Sequence, residues 1–409
     1  MSTTRTFVIV GGGVAAAEAA KTLHAEGYAD DLLVVTDEPR PPYERPPLTK
    51  EYLRGEAGDE KLVKQPASFY EDAGIELRTG VHAEALDVRG RSLALDTGEA
   101  VRFDRLLLAT GSRALLPRLD GVDAPWVHVV RTAADADRLR EAAGSSSSVV
   151  VAGGGWIGAE TAASLRQMGL AVTLVIPGSE VLERHLGAEL GRELSDLQER
   201  HGVRLVRSSR VSGLRETAGM REVVLDTGEI LATDLAVLGL GAVPAHELAI
   251  AAGLATDDGV LVDERLRSSA DVVFAAGDVA SAWTPRYGDR VRSAHWDNAR
   301  RQARTAARNM LGMAEAYDRV PYFYSDQYDL GTEILGRPDL GADQHLRRTD
   351  EGLVAVWTRD GVVVAGAHAN VWDSKQVLDR LIAERAVIDP EMFRDPAVPL
   401  DAFVAEAAA

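Results

Sequence analysis

A short apolar run, Phe7-Val8-Ile9-Val10, leads straight into Gly11-Gly12-Gly13-Val14-Ala15-Ala16. A helix-favouring segment follows to about Gly27, and a second apolar run, Leu32-Leu33-Val34-Val35, ends at Asp37. Strand, glycine turn, helix, strand and terminal acid form the pattern of a dinucleotide-binding unit. Gly11 allows the tight turn, Gly13 lets the backbone approach a pyrophosphate, and Ala16 lets the helix pack on the strands. The free N–H groups at the helix start face the phosphates. Asp37 is placed to accept hydrogen bonds from a ribose.

The chain then repeats itself. Val149-Val150-Val151-Ala152 runs into Gly153-Gly154-Gly155-Trp156-Ile157-Gly158, a helix-like run to Met168 follows, and Ala171–Ile176 reads as the next strand. Leu225-Asp226-Thr227-Gly228-Glu229 repeats Leu95-Asp96-Thr97-Gly98-Glu99 letter for letter, 130 positions on. At that same offset an Asp and an apolar strand follow in each copy, Asp104 to Gly111 and Asp234 to Gly241. Two such units imply two different nucleotides. The position matching Asp37 is read as Ile176, so the usual ribose acid is missing from the second copy and Glu180 or Glu183 has to substitute. No arginine follows until Arg184, which favours NADH and leaves NADPH open.

Composition removes several alternatives. A net charge of −18 argues against nucleic acid, which needs a basic footprint. There is no cysteine, so disulfides, thiolate-held iron–sulfur clusters and a redox-active dithiol are excluded. Redox chemistry must run through a bound cofactor. No apolar stretch reaches the ~18 residues a membrane helix needs, no signal peptide is legible, and a cytoplasmic protein is expected. At 409 residues the chain accommodates two to three domains.

Between the units, five prolines in nine residues (39–47) make Pro39 to Lys50 a stiff irregular loop. It leaves the carboxyl end of a parallel strand, where ligands lie, and presents Arg45 and Lys50. Thr110 and Gly111 end a buried strand in a turn suited to pass beneath a ligand. Gly277 and Asp278 end another, with Asp278 placed to meet a polyol chain. After Gly241, Ala242-Val243-Pro244 reads as a turn. A helix over Ala299 to Leu311 carries Arg300, Arg304 and Arg308 as one basic stripe. From Pro321 onwards, short alternating strands and a helix near Ser374–Glu384 describe a small α+β domain. No metal site is suggested by the spacing of His, Asp and Glu.

Essentially the whole chain resembles the FAD-dependent NAD(P)H:ferredoxin reductases that serve P450s and ring-hydroxylating dioxygenases. The resemblance is carried by Val10 to Gly13, Pro42-Tyr43-Glu44-Arg45-Pro46-Pro47-Leu48-Thr49-Lys50, Ala109-Thr110-Gly111, Val151 to Glu160, Ala276-Gly277-Asp278 and Tyr324-Ser325-Asp326-Gln327-Tyr328. It implies an α/β fold with two Rossmann-like domains of the glutathione-reductase type and a C-terminal α+β domain. FAD is expected on 1–111 with 245–320, NAD(P)H on 112–244, and the C-terminal domain over 321–409. The resemblance implies FAD contacts from Ala15, Asp37, Arg45, Lys50, Val81, Arg131, Asp278 and Trp296, beside Gly11, Gly13, Ala16, Thr110, Gly111 and Gly277. The nicotinamide nucleotide is expected at Gly153, Gly155, Ile157, Gly158, Glu160, Glu180 and Gly241. Lys50 paired with Glu160 near the flavin N5 is the implied catalytic pair.

The partner implied is an iron–sulfur ferredoxin. Ferredoxins are acidic, so a chain of this charge needs a local basic patch, and the arginine stripe is the expected one. Tyr324 stands where the family usually carries Trp and is a further docking residue. Two other readings stay open: a reductase of a small acceptor of the quinone or monodehydroascorbate type, and an NADH-sensing flavoprotein acting through partner binding.

Overall fold

The computed structural model describes residues 4–341 and 343–404. These fall into two compact units. The first comprises Met1–Pro47, Ala57–Arg113 and Ala242–Arg319; the second comprises Leu48–Glu56, Ala114–Gly241 and Val320–Ala409.

The first unit is built on a five-stranded parallel sheet. Its strands, from edge to edge, are Val273–Ala275, Arg105–Leu108, Thr6–Val10, Asp31–Thr36 and Glu76–Thr79. The apolar runs read from the sequence are the first four of these strands, largely buried on both faces as parallel strands covered by helices must be, while the edge strand Glu76–Thr79 stays partly exposed. The helix Val14–Ala25 packs against Trp296–Met310 through small residues. Ala15, Ala16, Ala19 and Ala20 share one core with Ala299, Ala303, Ala306 and Ala307.

The second unit repeats the plan, read from the opposite edge, with strands Arg204–Val206, Ala171–Val175, Ser148–Ala152 and Leu235–Leu238, and Val127–His128, which comes earlier in the chain, completes the sheet. The repeated pentapeptide is the same hairpin twice. Leu95 and Leu225 donate to the carbonyls of Glu99 and Glu229, both at 2.9 Å, and Gly98 and Gly228 turn the chain at φ +83° and +87°. The aspartate that follows ties each hairpin to its sheet. Asp104 accepts from the Thr6 N–H (2.8 Å), and Asp234 accepts from those of Ser147 (2.8 Å) and Ser148 (2.9 Å).

The second unit also holds an antiparallel sheet in the order Tyr322–Gln327, Leu330–Gly336, Val362–Ala369, Leu353–Arg359, Asp343–Arg348. The helix Ser374–Ala383 covers it, burying Leu378, Leu381 and Ile382 against Val354, Val356 and Val363. One local expectation fails: Ala242–Pro244 is a short strand paired with Ser112–Ala114, not a turn. Proline is tolerated there because the ladder has only two strands and both are edges.

Candidate functional site

In the first unit the expected residues gather at the carboxyl ends of the strands. Gly11 has φ +147°, and a Cβ on it would overlap the Ala109 carbonyl oxygen, so only glycine fits this turn. Gly13 stands at the N-cap of the following helix, with open space ahead of it except for Arg45 Nε at 4.0 Å. Gly277, at φ +84°, would bring a Cβ within 3.4 Å of both Ala15 and Ala299. Asp278 beside it accepts from the Ser112 hydroxyl at 2.7 Å. Thr110 is tied by its hydroxyl to the Ala245 carbonyl (2.6 Å), and Val81 by its N–H to the Thr36 carbonyl (3.0 Å). Crowded strand ends around an open glycine turn suit the approach of a pyrophosphate, as the FAD assignment requires.

The proline-rich loop closes on this turn. Tyr43 N–H donates to the Gly12 carbonyl at 3.1 Å, and the Tyr43 hydroxyl and Arg45 guanidinium both reach Glu38, at 2.5 and 2.8 Å. Burial works against the Arg45 charge, but the neighbouring Tyr43, Glu38 and Asp278 raise its pKa on balance. Asp37 is exposed, whereas a Cβ on Gly12 would lie 3.8 Å from Glu38 Oε1. The carboxylate facing the first glycine turn is therefore Glu38, a residue missed in the sequence. Trp296 donates from Nε1 to buried Glu44 at 2.8 Å and lies between Lys64 and Arg300, 5.1 and 4.4 Å from its ring centroid.

The arginine stripe does not form a free basic patch. Arg300 and Arg304 reach Glu18 at 3.5 and 2.5 Å, and Arg308 reaches Glu26 at 2.8 Å and Glu315 at 3.2 Å. The alanine seam brings the two helices close enough for the stripe to be met by carboxylates of the Val14–Ala25 helix.

In the second unit Gly153 (φ +110°) and Gly158 are both required. A Cβ on Gly153 would overlap the Gly239 carbonyl oxygen, and one on Gly158 would overlap that of Gly153. Gly155 has open space before it, and Ile157 is 42% exposed. An open glycine with an exposed apolar side chain beside it is what a nucleotide needs. Gly241, at φ +111°, accepts from the Leu115 N–H at 2.9 Å. Arg131 belongs to this unit, its N–H bonded to Asp135 at 3.1 Å.

One correction concerns register. Ile176 packs over Gly154 as Thr36 packs over Gly12, so Ile176 corresponds to Thr36, and Pro177 stands in the place of Asp37. Further on, Glu180 Oε2 is buried with no hydrogen-bond partner among the described residues. Such an oxygen is an acceptor left for a ligand or a water. Trp156 was also missed. Its ring stacks on Phe323 at 6.3 Å and 11° and lies 5.7 Å from His185.

Lys50 and Glu160 meet within this unit, because Leu48–Glu56 belongs to it. Glu160 sits on the helix Trp156–Gln167 and is 7% exposed. Its Oε2 accepts from the Thr49 hydroxyl at 2.6 Å, and its Oε1 from Ser325 at 2.8 Å, with Lys50 Nζ 3.5 Å away. Lys50 also reaches Asp326 at 3.3 Å and lies 4.8 Å from the centre of the Tyr324 ring. Burial pushes the Glu160 carboxyl up from its ordinary range, against the pull of Lys50, Thr49 and Ser325. Gln327 completes the arrangement: Gln198 Nε2 donates both to its Oε1 (2.8 Å) and to the Ala159 carbonyl (3.0 Å). The Ser325-Asp326-Gln327 motif thus has one task per residue: Ser325 holds Glu160, Asp326 holds Lys50, and Gln327 holds Gln198, which in turn bonds the helix that carries Glu160.

Comparison with known proteins agrees with this geometry. The model of the pyridine nucleotide-disulphide oxidoreductases matches residues 5–303, and the model described as reductase C-terminal matches 322–404. The chain is 36% identical to the ferredoxin–NAD(+) reductase component of an anthranilate 1,2-dioxygenase system from Burkholderia cepacia, over 97% of this chain and 99% of that one. Its structure matches the ferredoxin reductase for the CYP199A2 system from Rhodopseudomonas palustris with TM-score 0.93 and 31% identity, covering 98% and 100% of the two chains. It also matches the reductase in a covalent putidaredoxin reductase–putidaredoxin complex, with TM-score 0.92 and 31% identity over 99% of each chain. The family's name mentions a disulphide, which this chain cannot form, but its two glycine turns and the cofactor-binding architecture are shared. The chain belongs to the pyridine nucleotide-disulphide oxidoreductase family.

Proposed function

We propose that this protein is an FAD-dependent reductase that takes electrons from NAD(P)H and delivers them to a ferredoxin serving a P450 or a ring-hydroxylating oxygenase. The observation that carries this reading is the pairing of two complete glycine-turn units in a chain without cysteine. Two nucleotides are accommodated, and no dithiol is available to pass electrons onward. The electrons therefore leave from the flavin to an external acceptor. The relatives above are named as ferredoxin reductases, which supports a ferredoxin as that acceptor.

In this reading FAD is held over 1–111 and 245–320. Gly11, Gly13, Ala15 and Ala16 take the pyrophosphate, Glu38 or Asp37 the ribose, and Asp278 the polyol chain. NAD(P)H lies on Gly153 to Gly158 within 112–244, with Glu180 toward the adenosine ribose. FAD, when bound, supplies the exchange between two-electron and one-electron carriers. The chain's own residues supply position and charge. Lys50 places an ammonium beside the buried Glu160 carboxylate, and the Thr49 and Ser325 hydroxyls hold that carboxylate in one orientation. For docking, the arginine stripe is already neutralised by Glu18 and Glu26, so Tyr324, with Lys50 over its ring, is the better residue. The reaction is placed in the cytoplasm, where NADH is available.

The test is anaerobic stopped-flow reduction of the bound flavin by NADH and by NADPH, followed by steady-state cytochrome c reduction with a panel of ferredoxins. Rapid flavin reduction, with cytochrome c reduced only when a ferredoxin is added, is the expected result. Equal turnover of quinone without ferredoxin would favour a small-acceptor reductase. Slow flavin reduction without turnover of any acceptor would favour a sensor.

A further inference from the structure

The loop after the strand Ala171–Val175 is where the adenosine ribose must lie if the second glycine turn binds NAD(P)H, and any role for this loop in nucleotide choice rests on that proposed binding. The chain here runs Ile176-Pro177-Gly178-Ser179-Glu180-Val181-Leu182-Glu183. Leu182 adopts φ +58°, which turns the first residue of the next helix, Glu183, back over the loop. Glu183 Oε2 accepts from the Ser179 N–H at 2.7 Å, the Ser179 hydroxyl at 3.0 Å and the Glu180 N–H at 3.2 Å. Gly178 leaves it room, since a Cβ there would stand 2.5 Å from the same oxygen. Hydrogen bonds from the Ser179 and Glu180 backbone hold this carboxyl below its ordinary value.

Successive backbone N–H groups with a hydroxyl beside them form a nest for an anion. A 2′-phosphate, the only group that distinguishes NADPH from NADH, would seek such a place. We infer that Glu183 is a built-in occupant of this nest and makes the protein selective for NADH by keeping out the 2′-phosphate. A ribose 2′-hydroxyl is neutral and leaves Glu183 undisturbed. A phosphate would either stand against a carboxylate or displace it, leaving that carboxylate without its three donors. The nearby cations do not compensate. Arg207 is held in a two-point pair with Glu199, at 2.8 and 3.0 Å, while its Nε donates to the Ser179 carbonyl at 3.0 Å. Arg192 reaches Glu180 at 3.4 Å. Arg184, exposed next to Glu183, is the one cation of the segment that works in the other direction.

The experiment measures binding of NAD⁺ and NADP⁺ to the flavin-loaded protein by isothermal titration calorimetry at fixed pH and ionic strength. Wild type, Glu183→Gln and Glu183→Ala are compared, and each variant serves if the other fails to fold. NADP⁺ should bind wild type at least about tenfold more weakly than NAD⁺, the equivalent of one charged hydrogen bond lost. The ratio of the two dissociation constants should fall about tenfold or more in Glu183→Ala, and in the same direction in Glu183→Gln. Equal binding of both nucleotides by wild type, or a ratio that neither variant changes, overturns the inference and leaves the reductase reading standing. Binding of neither nucleotide overturns both.

Discussion

Replacing Ser325 by Ala takes one donor from a carboxylate that has almost no water to replace it. Glu160 is 7% exposed, and without the Ser325 hydroxyl at 2.8 Å its Oε1 is left with Lys50 at 3.5 Å. A hydrogen bond to a charged group contributes about 1.5–3 kcal/mol. That loss falls on the opening that separates the strand Tyr322–Gln327 from the helix Trp156–Gln167, both within the second unit. A protein with several domains does not unfold in one step, so a global midpoint would blur the effect. Native-state amide exchange reads the local opening directly. Amides of the strand and the helix should exchange about 10- to 100-fold faster in Ser325→Ala, the kinetic equivalent of that energy. The effects of Ser325→Ala and Glu160→Ala should overlap, because each removes the Ser325–Glu160 contact. Exchange altered less than about threefold, or two effects that add to within about 0.5 kcal/mol, would refute the role given to Ser325.

Three other perturbations have defined outcomes. Burial raises the Glu160 carboxyl in the folded state, so the unfolded chain releases that proton first, and wild type loses stability as pH rises from about 4.3 toward the folded value. The local opening energy that amide exchange reads for the helix Trp156–Gln167 in Glu160→Gln, relative to wild type, should therefore climb over that window, and a difference that stays flat with pH would contradict it. Arg304→Glu sets a carboxylate against Glu18, whose side chain is 11% exposed, and should cost about 2–4 kcal/mol of the local opening energy that amide exchange reads in the helices Val14–Ala25 and Trp296–Met310. If stability holds while the apparent KM for ferredoxin rises, the stripe is a docking surface after all. Gly158→Ala forces a Cβ onto the Gly153 carbonyl oxygen and should abolish NADH binding while the flavin content stays intact, measured by absorbance and calorimetry.

What could be read from the sequence was whatever the backbone dictates. Gly11 and Gly153 need a positive φ, Gly158 needs contact with a carbonyl, and the Leu-Asp-Thr-Gly-Glu hairpin needs its turn glycine. Such requirements leave only one residue type and therefore show as spacing. Side-chain direction does not. Thr36 and Glu38 lie on the same side of the extended chain, facing Gly12, and Asp37 between them points to water. Asp37 and Glu38 are one residue apart, which in an extended segment is a difference of face. A related distinction applies to the arginine stripe. A four-residue period shows that Arg300, Arg304 and Arg308 share a face, but not that the face is met by Glu18 and Glu26 on another helix. The hydroxyls on Glu160 lie 111 and 165 positions away from it in the chain, beyond any local pattern.

The two halves therefore differ where duplication leaves the backbone free to vary. Each sheet places a residue from the end of its second strand over the middle glycine, Thr36 in one and Ile176 in the other, and from there the loops diverge. In the first unit Glu38 is bonded by Tyr43 and Arg45 from the proline-rich loop, so its charge serves to fix that loop against the glycine turn. In the second, Pro177 and Gly178 carry no acid, and the carboxylate arrives from the following helix as Glu183, satisfied by the loop's own amides. A carboxylate bonded by a neighbouring loop and one bonded by its own loop are made from the same scaffold. Their partners tell them apart: side chains of a neighbouring loop in one case, backbone N–H groups of its own loop in the other. On that distinction an acid near the end of the second strand is a marker of nucleotide choice only after its hydrogen bonds are known, because a carboxylate oxygen already bonded by the backbone has no place for a ligand and one without a partner, as Glu180 Oε2 is among the described residues, has.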